Sequence, residues 1–284
     1  MAALLRLTGA LPDKSAATIV TVRLIICRSR PARSRPVSLQ ISSSAFTHQG
    51  HYRKRNEDAC LDQIERRLWA VCDGMGGHQA GDYASQWIVR QLAAVNLSDR
   101  LGRSVQSIKC CLQDCNRHLW GYARAHQLGQ IGATVVLMLI QGERVVIIWA
   151  GDSRAYRVRN GQIRQMTDDH SYAQELARAT GRAPEPGQPG NEAITRAVGA
   201  CESLSLDCLV MEARPGDNWM LCSDGVSGVV DPYRMEEILD SAIAPAEALV
   251  DEALQNGSRD NCTAVCVRIH GSHFRAPSSS TEYM

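Results

Sequence analysis

The sequence predicts an α+β protein in which antiparallel sheets stack face to face and helices cover the outsides. Three observations carry this. Several short apolar strands are joined by two-residue turn signals. Two long segments switch to helical spacing. Strands and helices are grouped rather than strictly alternating, which argues against a βαβ array. The 284 residues, 44% of them apolar, suffice for a sizeable core.

Leu68–Cys72 reads as a short strand stopping at Asp73-Gly74. From Gly81, apolar residues recur three or four apart (Ala84, Trp87, Ile88, Leu92), which marks an amphipathic helix. Val105, Ile108, Leu112, Cys115, Leu119 and Tyr122 mark a second, longer one. Residues 133–140 and 144–149 are β-branched runs separated by Gln141-Gly142, a hairpin. Residues 155–158 and 162–166 flank Asn160-Gly161, a turn in which both positions need positive φ. A short helix follows over 171–179, then a Pro- and Gly-dense loop from Pro184 to Gly190. A strand at 219–222 stops near Asp224-Gly225, helices cover 235–239 and 246–254, and 262–269 is the closing strand.

Composition excludes several function classes. No run approaches 18 consecutive apolar residues, so no membrane span is expected. Aromatics are 5% and the body has no broad basic stripe, which excludes a base-stacking nucleic-acid binder. Residues 1–40 hold seven basic side chains against Asp13 alone, whereas the other 244 residues hold 24 basic and 29 acidic ones. This start reads as a basic, disordered tail joined to a domain over 41–271, with a second tail over 272–284. The 11 cysteines show no paired CxxC spacing and read as buried thiols of a reducing cytoplasm.

The chemistry begins with four aspartates at strand ends: Asp73, Asp152, Asp224 and Asp260. An Asp-Gly after a strand is ordinarily a turn. A hairpin turn, however, leads straight into another strand, whereas Asp73 and Asp224 lead through glycine-containing loops into helices. The hexapeptide Asp73-Gly-Met-Gly-Gly-His78 has neither the ending of a P-loop nor GxGxxG spacing. Clustered carboxylates without His or Cys partners form a hard-oxygen site suited to Mg²⁺ or Mn²⁺. Two such ions roughly 3.5–4 Å apart clamp a phosphoryl group and acidify a bridging water. A phosphate dianion also calls for an arginine.

Further segments make this pattern specific. Gly50-His-Tyr-Arg53-Lys-Arg-Asn56-Glu57-Asp58, Asp73-Gly-Met-Gly-Gly-His78, Gly132-Ala-Thr134 and Ala150-Gly-Asp152-Ser-Arg-Ala-Tyr156 occur in that order. Thr167-Asp-Asp-His170, Ile194-Thr-Arg196-Ala-Val-Gly199, Ser223-Asp-Gly225 and Ser258-Arg-Asp260-Asn261 follow. Over residues 45–269 the chain resembles the PP2C-type metal-dependent Ser/Thr protein phosphatases, in their bacterial form.

The resemblance implies a four-layer αββα sandwich with two Mn²⁺ or Mg²⁺ ions between its sheets and a weaker third. Asp73 would bridge both metals, the Gly74 carbonyl would bind one, and Asp224 and Asp260 would hold the first. Glu57 and Asp58 would act through waters or accept hydrogen bonds that fix those waters, Asp152 would serve the third metal, and Arg53 would hold phosphate. A metal-bound hydroxide would attack phosphorus in line, without a protein nucleophile. The expected substrates are phosphorylated proteins, opposite a cognate Ser/Thr kinase. A small-molecule phosphatase and a non-catalytic signalling domain are the alternatives on the same fold. Met75 stands where eukaryotic members carry a histidine that protonates the leaving group, so a metal-bound water is the first candidate there, ahead of His51, His78 and His170. The Pro-rich stretch 184–190, next to the family's mobile flap, is expected to alter substrate choice.

Overall fold

The computed structural model describes residues 39–76, 80–182, 190 and 193–270. The basic stretch 1–40 apart from Leu39 and Gln40, His78, residues 184–189 and residues 272–284 lie outside the described residues.

In chain order the strands are β1 (Gln40–His48), β2 (Asp58–Gln63) and β3 (Leu68–Met75), followed by helices α1 (Ala80–Ala94) and α2 (Leu101–Ala125). Next come β4 (Gly132–Ala133), β5 (Val135–Gln141), β6 (Arg144–Ala150), β7 (Arg154–Val158), β8 (Ile163–Gln165) and α3 (Tyr172–Thr180). The chain then forms β9 (Asp207–Glu212), β10 (Asn218–Cys222), α4 (Asp224–Ser227), α5 (Pro232–Ser241), α6 (Pro245–Gln255) and β11 (Cys262–His270). One sheet has the order β1-β11-β10-β7-β8, the other β2-β3-β5-β6-β9 with β4 paired to β3. Every strand pair is antiparallel.

Alternation along the central strands builds three apolar layers. On β3, Trp69 and Val71 face the other sheet, while Leu68, Ala70 and Cys72 face α1 and α2. On β10, Trp219 and Leu221 point between the sheets, and Met220 and Cys222 point at α5 and α6. Both faces of these strands are buried, so they read as continuous apolar runs although the sheets are antiparallel. The result is the αββα order expected: helix layer, two sheets, helix layer.

One local reading differs. The β3 strand runs through Asp73-Gly74 to Met75, because β4 arrives to pair Gly74 with Ala133. The predicted turn at Asn160-Gly161 holds, with φ of 54° and 64°. Thiols are less uniformly buried than expected. Those described are all free, but Cys110 and Cys201 are exposed. No described helix is long and apolar enough to cross a membrane.

Candidate active site

The acidic residues come from loop ends that the two sheets bring to one edge. Asp58 opens β2 and lies directly opposite Asp73 across the β2–β3 ladder. Like charges so placed destabilise a strand pair. Asp224 follows the end of β10, and Asp260 precedes β11, the neighbouring antiparallel strand. Asp152 sits in the turn between β6 and β7.

Close backbone contacts lock these ends together. A Cβ on Gly74 would lie 2.2 Å from the Gly81 carbonyl oxygen and 2.5 Å from that of Glu57, so only glycine lets α1 and the β1–β2 loop approach β3 there. A Cβ on Gly225 would lie 1.9 Å from the Asn261 carbonyl oxygen. Asn261 clamps the loop carrying Arg53. Its amide donates to the carbonyls of Gln49 (2.7 Å) and Arg55 (2.8 Å), and its oxygen accepts from the Glu57 N–H (2.8 Å).

Hydroxyls position the acids. Ser223 and Thr263 donate to Asp58 Oδ2 at 2.8 and 2.6 Å. Thr134 Oγ1 accepts from the Asp73 N–H (3.1 Å) and meets Ser153 Oγ at 2.7 Å, joining the Asp73 strand to the Asp152 turn. Sequence reasoning quoted Thr134, Ser223 and Asn261 within motifs but assigned them no role. Ser153, in another of those motifs, and Thr263 also went unassigned, since a hydroxyl gives no sequence signal of its acceptor.

The electrostatics are those of an uncompensated cluster. Burial, and then the charges of Asp58, Asp224, Asp152 and Asp260, hold Asp73 well above the usual carboxylate range. Burial also raises Asp58, despite its two hydroxyl donors, and pushes Asp152 up to about 7, with Asp224 adding to the effect. Asp224 is raised by burial and by Asp260, and a hydrogen bond shared with Asp73 partly offsets this. Such a bond between two carboxyl groups requires that one of them keep its proton. Glu57 is raised by burial and by Asp82. Two buried oxygens, Asp58 Oδ1 and Asp152 Oδ1, have no hydrogen-bond partner.

Among the described residues Arg53 is the one cation bonded to the predicted ligands, and its Nη2 donates to Asp260 Oδ2. Asp260 Oδ1 accepts from the Asn261 N–H at 2.8 Å. Asp73 and Asp224 therefore meet each other, while Asp260 is turned to Arg53. Among the described residues no three acidic, histidine or thiol side chains are set to ligate one ion together. The donor set nevertheless fits hard divalent cations, being buried, all-oxygen and in part unpartnered. His170 is fully buried, with both ring nitrogens within reach of protein groups, so it does not meet a substrate. His51 is exposed, 6.0 Å ring to ring from His48.

The family model described as Protein phosphatase 2C matches residues 48–256. The chain belongs to the protein phosphatase 2C family. It is 32% identical over 234 residues to the serine/threonine phosphatase Stp of Listeria innocua, covering 78% of this chain and 93% of that protein. It is 37% identical to PppA of Pseudomonas aeruginosa, described as a key regulatory component of T6SS, with a TM-score of 0.76 over 81% of this chain and 97% of that one. The catalytic domain of the phosphatase PstP, solved in complex with two manganese ions, matches at 30% identity and a TM-score of 0.72, covering 82% of this chain and all of that one.

Proposed function

We propose that this chain hydrolyses phosphoserine and phosphothreonine in proteins, opposing a Ser/Thr kinase, and that two divalent cations, Mn²⁺ or Mg²⁺, sit among the acidic residues described above. The carrying observation is the gathering of Asp58, Asp73, Asp152 and Asp224 in one buried place with, among the described residues, no arginine or lysine bonded to any of them. Asp73, Asp224 and Asp260 would hold one ion, and Asp73 with the Gly74 carbonyl the other. Glu57 and Asp58 would accept hydrogen bonds from coordinated water, and Asp152 would serve a weaker third ion. Bound cations supply positive charge to the phosphoryl oxygens and lower the pKa of the attacking water.

The chain's own residues do the rest. Arg53 is half exposed, and a planar guanidinium that releases Asp260 is suited to grip two phosphate oxygens at once. Thr134 and Asn261 hold Asp73 and the Arg53 loop in place. Met75 cannot protonate the leaving alkoxide, and His170 is sealed away from it. Solvent in the cleft takes that role. The cytoplasm, where free thiols stay reduced, suits the cysteines.

Phosphate release from phosphothreonine and phosphoserine peptides, set against a panel of sugar and nucleotide phosphates, tests the reading. Turnover on the peptides that requires added Mn²⁺ or Mg²⁺ is expected. Preference for a metabolite would make the protein a small-molecule phosphatase, and no turnover on any substrate would make it a binding domain.

A further inference from the structure

His170 is a fully buried titratable side chain outside the acidic cluster, and the proposed reaction leaves it unused. Its ring lies parallel to Trp149, with centroids 6.0 Å apart and planes 5° apart. Nδ1 accepts the Gly151 N–H at 3.1 Å. Nε2 lies 3.3 Å from Arg196 Nη1 and, on β9, 3.3 Å from Asp207 Oδ2. That contact, with burial opposing it and Arg196 helping, holds the Asp207 carboxyl below its ordinary range.

The backbone repeats the connection. The His170 N–H donates to the Gly151 carbonyl (2.9 Å), and the His170 carbonyl accepts the Thr195 N–H (2.8 Å). Gly151 needs this support, because its φ of 115° is open only to glycine and a Cβ there would lie 2.6 Å from Thr134. The next residue is Asp152, whose Oδ1 is buried without a partner. On the other side, Arg196 spans Asp207 (3.3 Å) and Glu175 (3.5 Å), and Ser171 bridges to Ile194.

We propose that His170 is the positioning residue for Asp152. Its imidazole, braced on Asp207, grips the Gly151 amide, fixes the turn that presents Asp152 to Asp73 and Asp224, and ties that turn to residues 194–196. The second half rests on the reading of Asp152 as a cation ligand; the grip on Gly151 does not.

Two amide variants of the full chain separate the ring's two nitrogens. His170→Asn places an oxygen where Nδ1 stands, whereas His170→Gln reaches the Nε2 position and leaves Gly151 unpaired. Amide hydrogen exchange of Gly151, read by NMR in chelator, should slow in the Asn variant to within about twofold of the parent. In the Gln variant it should quicken by about fivefold or more, as one lost hydrogen bond implies. Equal exchange in the two variants, or the reverse order, overturns the proposal. Should the Gln variant not fold, Asp207→Ala removes the far brace, and unchanged Gly151 exchange there contradicts the strut.

Calorimetric Mn²⁺ titration tests the consequence. The weakest class of Mn²⁺ sites should vanish in Asp152→Asn, weaken by about fivefold in the Gln variant and persist in the Asn variant. If Asp152→Asn leaves that class intact, the role of Asp152 falls while the exchange data still decide the role of His170. If Asp152→Asn removes the class and the Gln variant keeps it at parent strength, the positioning role falls.

Discussion

Strand β10 has an aspartate beside each end, and the two are built in opposite ways. Asp217, just before its start, is completely buried and fully partnered. Arg159 grips both its oxygens, at 2.5 and 2.6 Å, and the Arg214 N–H adds a third bond at 3.0 Å. Asp224, just after its end, is bonded to no described arginine and is instead raised in pKa by burial and by the charge of Asp260. A buried carboxylate is tolerated when paired and raised in pKa when not. One end of the sandwich is therefore satisfied by the chain itself. The other has charge that the chain alone does not neutralise, as a cation-binding site requires.

That contrast can be broken most forcefully at Asp224. Asp224→Asn should cut turnover of a phosphothreonine peptide by at least about a thousandfold, since the cation charge it helps to seat is worth several kcal/mol. Its thermal midpoint in chelator should not fall. Asp217→Asn should do the reverse, costing about 3 kcal/mol in a urea titration by stranding Arg159, while turnover per folded molecule stays within about twofold. If the two substitutions affected the same property, the contrast between the ends would fail.

Arg53→Ala should raise KM for the peptide by about ten- to a hundredfold. Stability should barely change, because an ion pair this exposed contributes little.

A smaller effect follows from pH. The raised carboxyls (Asp152 at about 7, with Asp58, Asp73 and Asp224 also high) keep protons that the unfolded chain releases near pH 4. Their contribution to stability is therefore full below about pH 4 and is lost as pH rises through about 7. In chelator the part of the melting curve due to these groups should shift down between pH 5.5 and 8, and Mn²⁺ should reverse the shift at pH 8. A midpoint insensitive to both would contradict the uncompensated cluster.

Smallest is Thr134→Val, which leaves the Asp73 N–H and Ser153 unpaired and should cost about 1–2 kcal/mol, with a several-fold loss of turnover.

Legibility from sequence follows burial and locality. Strands β3, β5, β6 and β10 announce themselves because both faces are buried, and the β7–β8 hairpin because its turn needs Asn160 and Gly161. Strands β1, β2 and β9 went unread. All three are sheet edges with partly exposed, polar-rich sequences, such as the Ser42-Ser-Ser44 run in β1. The partner of β1 is β11, more than 200 residues away, so no local pattern could set its register. At the site, Asp73, Asp152, Asp224 and Asp260 were legible as carboxylates at the ends of apolar strands, whereas Glu57 and Asp58 came only with the resemblance. Their supports were not legible, because Asn261, Thr263 and His170 act on groups distant in sequence and show no periodicity.

The acidic end should take up divalent cations that the satisfied end does not need. Isothermal titration of the chelator-stripped full chain with Mn²⁺, run beside Asp224→Asn and Asp217→Asn, asks this directly. Two ions are expected to bind the parent and the Asp217 variant alike, with the tighter uptake lost in the Asp224 variant. No Mn²⁺ uptake by the parent, or an Asp224→Asn isotherm that overlays it, would contradict the account.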